Sequence, residues 1–247
     1  LHITRLLKFN LSIYRKKTSA YEAFQYLRSC VESIGVFVVL LNDLGSHHSE
    51  INLEYFRGFS ISDSLAPFIV INHKDSKAAL SFTLIHEFVH LLLGQTSISN
   101  YLSELEIERY CNDVAGGFLL PNDDLKTMSF SHPSDTNKLV DEIEAYAKRF
   151  NVSNSMIAYN LYRNGTINKL IWNELNSIFK QYWDDYKDKH KNKNLGGGPD
   201  YYKVRQSYLG KKLVQTTQQM LYSGTITSVN AGRILGVNPK NIRNLFG

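Results

Sequence analysis

Two cysteines in 247 residues, Cys30 and Cys111, are too few for a disulfide framework and suit a reducing interior. Long hydrophobic runs are missing too. The densest, Val36 to Leu41, holds six residues against the roughly 20 that a membrane span requires. The N-terminal stretch has no basic region, apolar segment and small-residue cleavage site in secretory order. There is no internal repeat and no long low-complexity tract. Apolar residues at 43% and charged residues at 21% exclude a disordered or fibrous chain. These absences lead us to expect a soluble cytoplasmic protein with no membrane partner. The first residue is Leu rather than Met, from which we expect a longer native chain.

The length suits one compact unit of about 120–150 residues with smaller modules attached. Charge divides along the chain: residues 1–127 carry a net −3 and residues 128–247 a net +8. The basic half suggests an acidic or nucleic-acid partner, or simply a solvated basic surface. The first half reads as mixed α and β. Thr18 to Ser33 has helical spacing, with Tyr21, Phe24, Leu27 and Val31 on one side. Val36–Leu41, Tyr55–Phe59 and Phe68–Ile71 are strand candidates, giving a small sheet of about three strands backed by helices. Asp75 or Ser76 can cap the next helix and Gly94 can end it. Ser103 and Glu106 form a capping box for the one after, which Pro121 stops.

The second half reads as wholly helical: 138–150, 154–164, 168–189, 201–222, 229–235 and 239–246. Asn194 to Pro199 is the clearest linker. The expected class is α+β, with a first domain at 1–127, a helical helix-turn-helix-like subdomain at 128–194 and a C-terminal helical module at 195–247.

The chemistry concentrates at His86-Glu-Phe-Val-His90. Four residues on a helix is one turn, about 6 Å, so both imidazoles can address one ion while Glu87 flanks it. The surrounding helix is apolar on nearly every side, and unpartnered polar groups buried there cost roughly 2–7 kcal/mol each. A bound metal accounts for them; the plainer reading is a pair of hydrogen-bonded core histidines. A hydrolytic zinc site keeps three protein ligands. No third His follows closely, so the next helix must supply one, and Glu108 is that candidate. Asn112, one turn on, can accept a hydrogen bond from a ligand histidine. The competing reading of Glu108 is a solvated helix carboxylate.

Ser81–Gly94 and Glu108–Pro121 resemble the active-site helix and the Glu-x-x-x-Asn segment of ImmA/IrrE metallo-endopeptidases. Arg57–Phe59 and Pro67–Asn72 resemble the strand pair before that helix. The resemblance covers about residues 20–125 and departs at Gly116-Gly117, where bulkier residues are common. It implies a minimal zincin-like fold, Zn²⁺ held by His86, His90 and Glu108, and a catalytic Glu87. It also implies a bacterial or phage-borne protein that cleaves a helix-turn-helix repressor controlling stress-response or mobile-element genes.

In such a mechanism Glu87 takes a proton from zinc-acidified water and passes it to the leaving amine. His73, Tyr101, Tyr110 and His132 are candidates to stabilise the oxyanion. His47-His48 reads as a loop or a second metal site, and Cys111 as core. Two segments read as helix-turn-helix, Ala147–Tyr162 and Ile226–Leu245. In the second, Gly236 sits at the turn and Lys240, Asn241 and Arg243 can face a DNA groove or a repressor. The alternative to a peptidase is a toxin-like or DNA-binding regulator whose zinc site is structural or weakly active.

Overall fold

The computed structural model describes residues 2–41, 56–94, 101–131, 133, 135–191 and 200–246, without the side chains of 101–104, 190 and 191. The N-terminal segment forms α1 (His2–Leu6), α2 (Leu11–Arg15) and α3 (Ala20–Ser33). Ser19 caps α3 by accepting from the Glu22 N–H. The buried face of α3 is Ala23, Phe24, Leu27 and Val31. Then come β1 (Phe37–Leu41), β2 (Gly58–Ile61) and β3 (Phe68–Asn72), in sheet order β1-β3-β2. β1 runs parallel to β3, with Phe37 opposite Phe68, and β2 runs antiparallel, with Ile61 opposite Phe68. The expected α+β class and three-stranded sheet are present.

β2 sits further along the chain than its apolar pattern suggested; of the expected segment, Tyr55 lies outside the described residues. The reason is the identity of its inward residues, Gly58 and Ser60. A Cβ at Gly58 would come within 2.7 Å of Thr83 Cγ2 and 3.1 Å of Glu87 Cγ. The strand therefore lies so close to the helix beneath it that only small residues fit, while Phe59 and Ile61 face outward.

That helix, α4 (Leu80–Leu92), starts later than the expected cap and has no side-chain cap. The Asp75 carboxylate instead accepts from the Ser76 N–H at 2.8 Å and pairs with Arg57 at 3.6 Å. Fully buried Leu84, Ile85 and Phe88 each contribute roughly 1.5–3 kcal/mol and offset the cost of the polar groups beside them. α5 (Tyr101–Leu119) begins two residues before the expected capping box, so Ser103 lies inside it. The helices α6 (Asn122–Thr127), α7 (Thr136–Phe150), α8 (Asn154–Arg163) and α9 (Lys169–Lys191) follow. One apolar core runs from Leu7 through the sheet, α4 and α5 to Phe179.

The α7–α8 turn is tied to the N-terminal segment. Asn151 adopts a left-handed φ of 56°. Its amide donates to the carbonyls of Tyr14, Arg15 and Lys17 at 3.1–3.3 Å, and the Tyr14 hydroxyl donates to the Asn151 carbonyl at 2.8 Å. Burial pushes the Tyr14 phenol up to about 12, so it stays a donor at any ordinary pH.

The single helix expected over 201–222 is two: α10 (Tyr201–Leu209) and α11 (Lys211–Tyr222), broken at Gly210 with φ of 85°. A buried ion pair on α3 causes the break. Arg28 donates to the carbonyls of Ser207 and Tyr208 at the end of α10 and to that of Val38 in β1. Glu32, 3.3 Å from Arg28, accepts from the backbone of Lys211 and Lys212 at the start of α11. A cation thus meets a helix C-terminus and an anion a helix N-terminus, as the helix dipoles favour. Gly210 lies where any Cβ would strike both side chains.

α12 (Ser228–Leu235) and a 3₁₀ helix (Pro239–Leu245) complete the chain around a second core of Leu209, Val214, Ala231, Leu235, Ile242 and Leu245. The expected linker Asn194–Pro199 lies outside the described residues.

Arg28→Met leaves Glu32 buried without its cation and is expected to cost about 3–5 kcal/mol in urea unfolding. Pairing it with Glu32→Leu should restore much of that loss; a double variant no better than the single contradicts the ion-pair account.

Candidate active site

Four residues separate His86 from His90 on α4, and both rings turn toward α5. Their Nε2 atoms are 3.1 Å apart. Glu108 of α5 spans them, with Oε2 3.2 Å from His86 Nε2 and Oε1 3.0 Å from His90 Nε2. Ligand atoms around a tetrahedral ion with bonds of about 2.0–2.1 Å stand about 3.3 Å apart. The separation of the two nitrogens is close to that edge, and each Glu108 oxygen stands at a similar distance from its own imidazole. The donor set of two imidazoles and a carboxylate therefore fits a divalent metal ion.

Electrostatics point the same way. Desolvation lowers the His86 pKa, opposed by the Glu108 charge and reinforced by His90. A proton on His86 is thus disfavoured, while a divalent cation can use its lone pair. Asn112 lies within reach of His86 and favours its charged form. The Nδ1 atoms of both histidines are buried without a hydrogen-bond partner, so the expected Asn112 bond to a ring N–H is not closed in this arrangement.

Glu87 occupies the adjacent helix position, 6% exposed, and burial raises its carboxyl to about 7. The Ser60 hydroxyl opposes that shift, and the Glu108 charge adds to it. Ser60 Oγ and Glu87 Oε2 are both buried without a closed hydrogen bond. Glu87 is therefore a carboxyl poised near neutrality beside the His–His–Glu cluster, the condition for moving protons at pH 7.

These groups floor an open cleft of about 540 Å³. Arg57, Gly58 and Phe59 form one wall, and Ser153, Met156 and Tyr159 from the start of α8 are also part of its lining. Sequence reasoning missed this second set because the segment reads as a helix-turn-helix, and its place beside the cleft comes from long-range packing that includes the Asn151 tether to α2. It also missed Ser60, whose alternation with Phe59 and Ile61 was the available signal.

Among the oxyanion candidates, His73 packs against Lys77 at 2.9 Å and against Tyr208, and does not line the cleft. Tyr110 is exposed and does not line it either. The Tyr101 side chain, His132 and His47-His48 lie outside the described residues. Cys111 is fully buried as expected, and burial pushes its thiol up to about 12. Lys240, Asn241 and Arg243 are exposed on the 3₁₀ helix, apart from the cleft. At Gly116 an added Cβ would meet only Asn160 Nδ2, at 3.9 Å, and at Gly117 nothing. The glycine pair is no steric requirement.

A carboxyl raised from 4.5 to about 7 by folding favours the folded state below pH 4.5, and that contribution is lost as pH rises through 7. Metal-free Glu87→Gln should therefore gain on wild type as pH rises from 5 to 8, by up to about 3 kcal/mol in urea unfolding. A stability difference independent of pH would show that Glu87 is not held in this way.

The family model of the IrrE N-terminal-like domain (Peptidase_M78) matches residues 36–162, just over half of the chain and every element from β1 through nearly all of α8. No curated protein matches the chain, and no solved structure does. Both histidines, Glu87, Glu108 and both cleft walls fall inside that match, and the chain belongs to the IrrE N-terminal-like, or ImmA/IrrE, family of metallopeptidases.

Proposed function

We propose that the protein is a zinc-dependent endopeptidase in which His86, His90 and Glu108 hold Zn²⁺ and Glu87 is the catalytic acid–base. One observation carries this reading: two imidazoles and a carboxylate converge on the floor of an open cleft, with a carboxyl raised to about 7 beside them. Zinc there supplies a Lewis acid that polarises the scissile carbonyl and acidifies water.

Everything else falls to the chain. Glu87 takes the proton from water onto its carboxylate and delivers it to the leaving amine. We assign Tyr159, which lines the α8 side of the cleft, as the donor to the developing oxyanion. Asn112 lies beside His86 in the cleft lining, and Phe59, Phe82 and Met156 give the cleft the apolar surface that excludes water around a bound peptide. We read 1–127 as the peptidase domain, 128–194 as the subdomain that supplies the α8 side of the cleft, and 195–247 as an appended module.

The substrate we propose is a helix-turn-helix repressor in the bacterial cytoplasm, part of a stress-response or mobile-element switch. Support for it is the family resemblance. The competing reading, a regulator with a structural zinc site, calls for a fourth protein ligand closing the ion. Among the described residues, only His86, His90 and Glu108 converge, which favours the catalytic reading.

Metal analysis of the purified chain should return one zinc per protein. Glu87→Gln should keep the zinc and lose about 10²–10⁴-fold in cleavage of a cognate repressor; cleavage at the wild-type rate would sink the role of Glu87. Tyr159→Phe should lower kcat by about 10²-fold or more with KM little changed. A change in KM alone would make Tyr159 a binding residue instead.

A further inference from the structure

Residues 201–247 contain seven Lys or Arg and neither Asp nor Glu. The peptidase reading assigns this charge no task. Its centre is the pair formed by α12 and the 3₁₀ helix. Gly236, with φ of 62°, ends α12, and the Asn238 side chain caps the next element by accepting from the Lys240 N–H at 3.0 Å. A Cβ at Gly232 would stand 2.8 Å from the Val237 carbonyl and 3.0 Å from Pro239 Cγ. The two helices therefore fold back on each other through a turn so tight that α12 presents a bare backbone to it. Ile242 and Leu245, 4% and 1% exposed, point into the second core.

A 3₁₀ helix has three residues per turn, so side chains three apart line up in ridges. With Ile242 and Leu245 on the inward ridge, Lys240 and Arg243 form a second and Asn241 and Asn244 a third. All four of these are exposed. Among the described residues no carboxylate lies within ion-pair distance of Lys240, Arg243 or Arg233. Arg233 and Asn241 border a hollow of about 530 Å³ that reaches Tyr201 and Tyr202 on α10 and is lined more by apolar than by polar surface.

We propose that this helix–turn–3₁₀ unit binds duplex DNA. Lys240, Arg243 and Arg233 contact phosphates, and Asn241 and Asn244 are turned toward base edges. The chemistry favours DNA over an acidic protein. The outward ridges of the 3₁₀ helix carry two cations and two amides and no apolar anchor, whereas protein interfaces draw their energy from buried aromatic and aliphatic anchors. Cations position a protein on the phosphate backbone, and amides pair with adenine edges in the major groove. This binding is separate from the metal cluster and stands whether or not the chain is a peptidase.

Fluorescence anisotropy tests it, with the full chain and a labelled 30-base-pair duplex of arbitrary sequence. Binding is expected at about 50 mM salt and should weaken steeply toward about 200 mM. Lys240→Gln/Arg243→Gln should weaken it at least 10-fold at the lower salt and reduce the log–log salt slope by about 2, with an unchanged thermal midpoint. His86→Ala should bind DNA as wild type does. Lys240 in the wild-type chain should also be protected by DNA from amine acylation, a readout that needs no variant.

Absence of binding at 50 mM salt overturns the proposal, as does a double variant that binds like wild type or a Lys240 that DNA leaves reactive. Poly-glutamate binding as tightly as DNA and equally weakened by the double substitution overturns it too, and reassigns the surface to an acidic protein.

Discussion

Two imidazoles and a carboxylate meet across the seam between α4 and α5, and the rest of the molecule is arranged so that they can. The two imidazoles, and Glu87 beside them, are costly where they stand. His90 and Glu87 are almost wholly buried, and His86 is drawn toward its neutral form by desolvation. The cost is carried by the apolar remainder of α4, whose Leu84, Ile85 and Phe88 lock the helix between the sheet and α5. A helix that was less apolar could not hold three ionisable groups in register. A helix without the four-residue histidine spacing would bury them to no purpose.

Two remote contacts give that seam a working cleft. Gly58 lets β2 lie directly over Glu87, which removes water from the carboxyl and raises its pKa. Asn151 ties the α7–α8 turn to carbonyls at the end of α2 and just after it, and helps to set Met156 and Tyr159 in the lining of the cleft. The peptide-sized space between them is a product of tertiary packing rather than of any one motif. The C-terminal unit is fastened elsewhere, through Arg28 and Glu32, on the β1 edge of the sheet. That arrangement leaves its basic surface available for work unrelated to the cleft.

What the sequence disclosed follows from how local each feature is. The His86–His90 spacing, the apolar length of α4 and the Asn112 position one turn after Glu108 are periodicities within single helices, and all were legible. That Glu108 would face the histidines followed from the donor count of a metal site together with the family resemblance. The misplaced strand and the undivided helix over 201–222 have one cause. At Gly58 and Gly210 the residue is dictated by neighbours distant in sequence, Thr83 with Glu87 in one case and Arg28 with Glu32 in the other. No local pattern encodes such a neighbour. Tyr159 was hidden in the same way, because its segment reads as a helix-turn-helix until its long-range packing is known.

The central claim is that Glu108 completes a zinc site with His86 and His90, and X-ray absorption at the zinc edge tests it most directly. The account predicts a four-coordinate zinc with two imidazole nitrogens at about 2.0 Å and the remaining ligands oxygen, with affinity falling at least about 10-fold in Glu108→Ala. A spectrum that shows only one imidazole, or that is unchanged when Glu108 is removed, would contradict it.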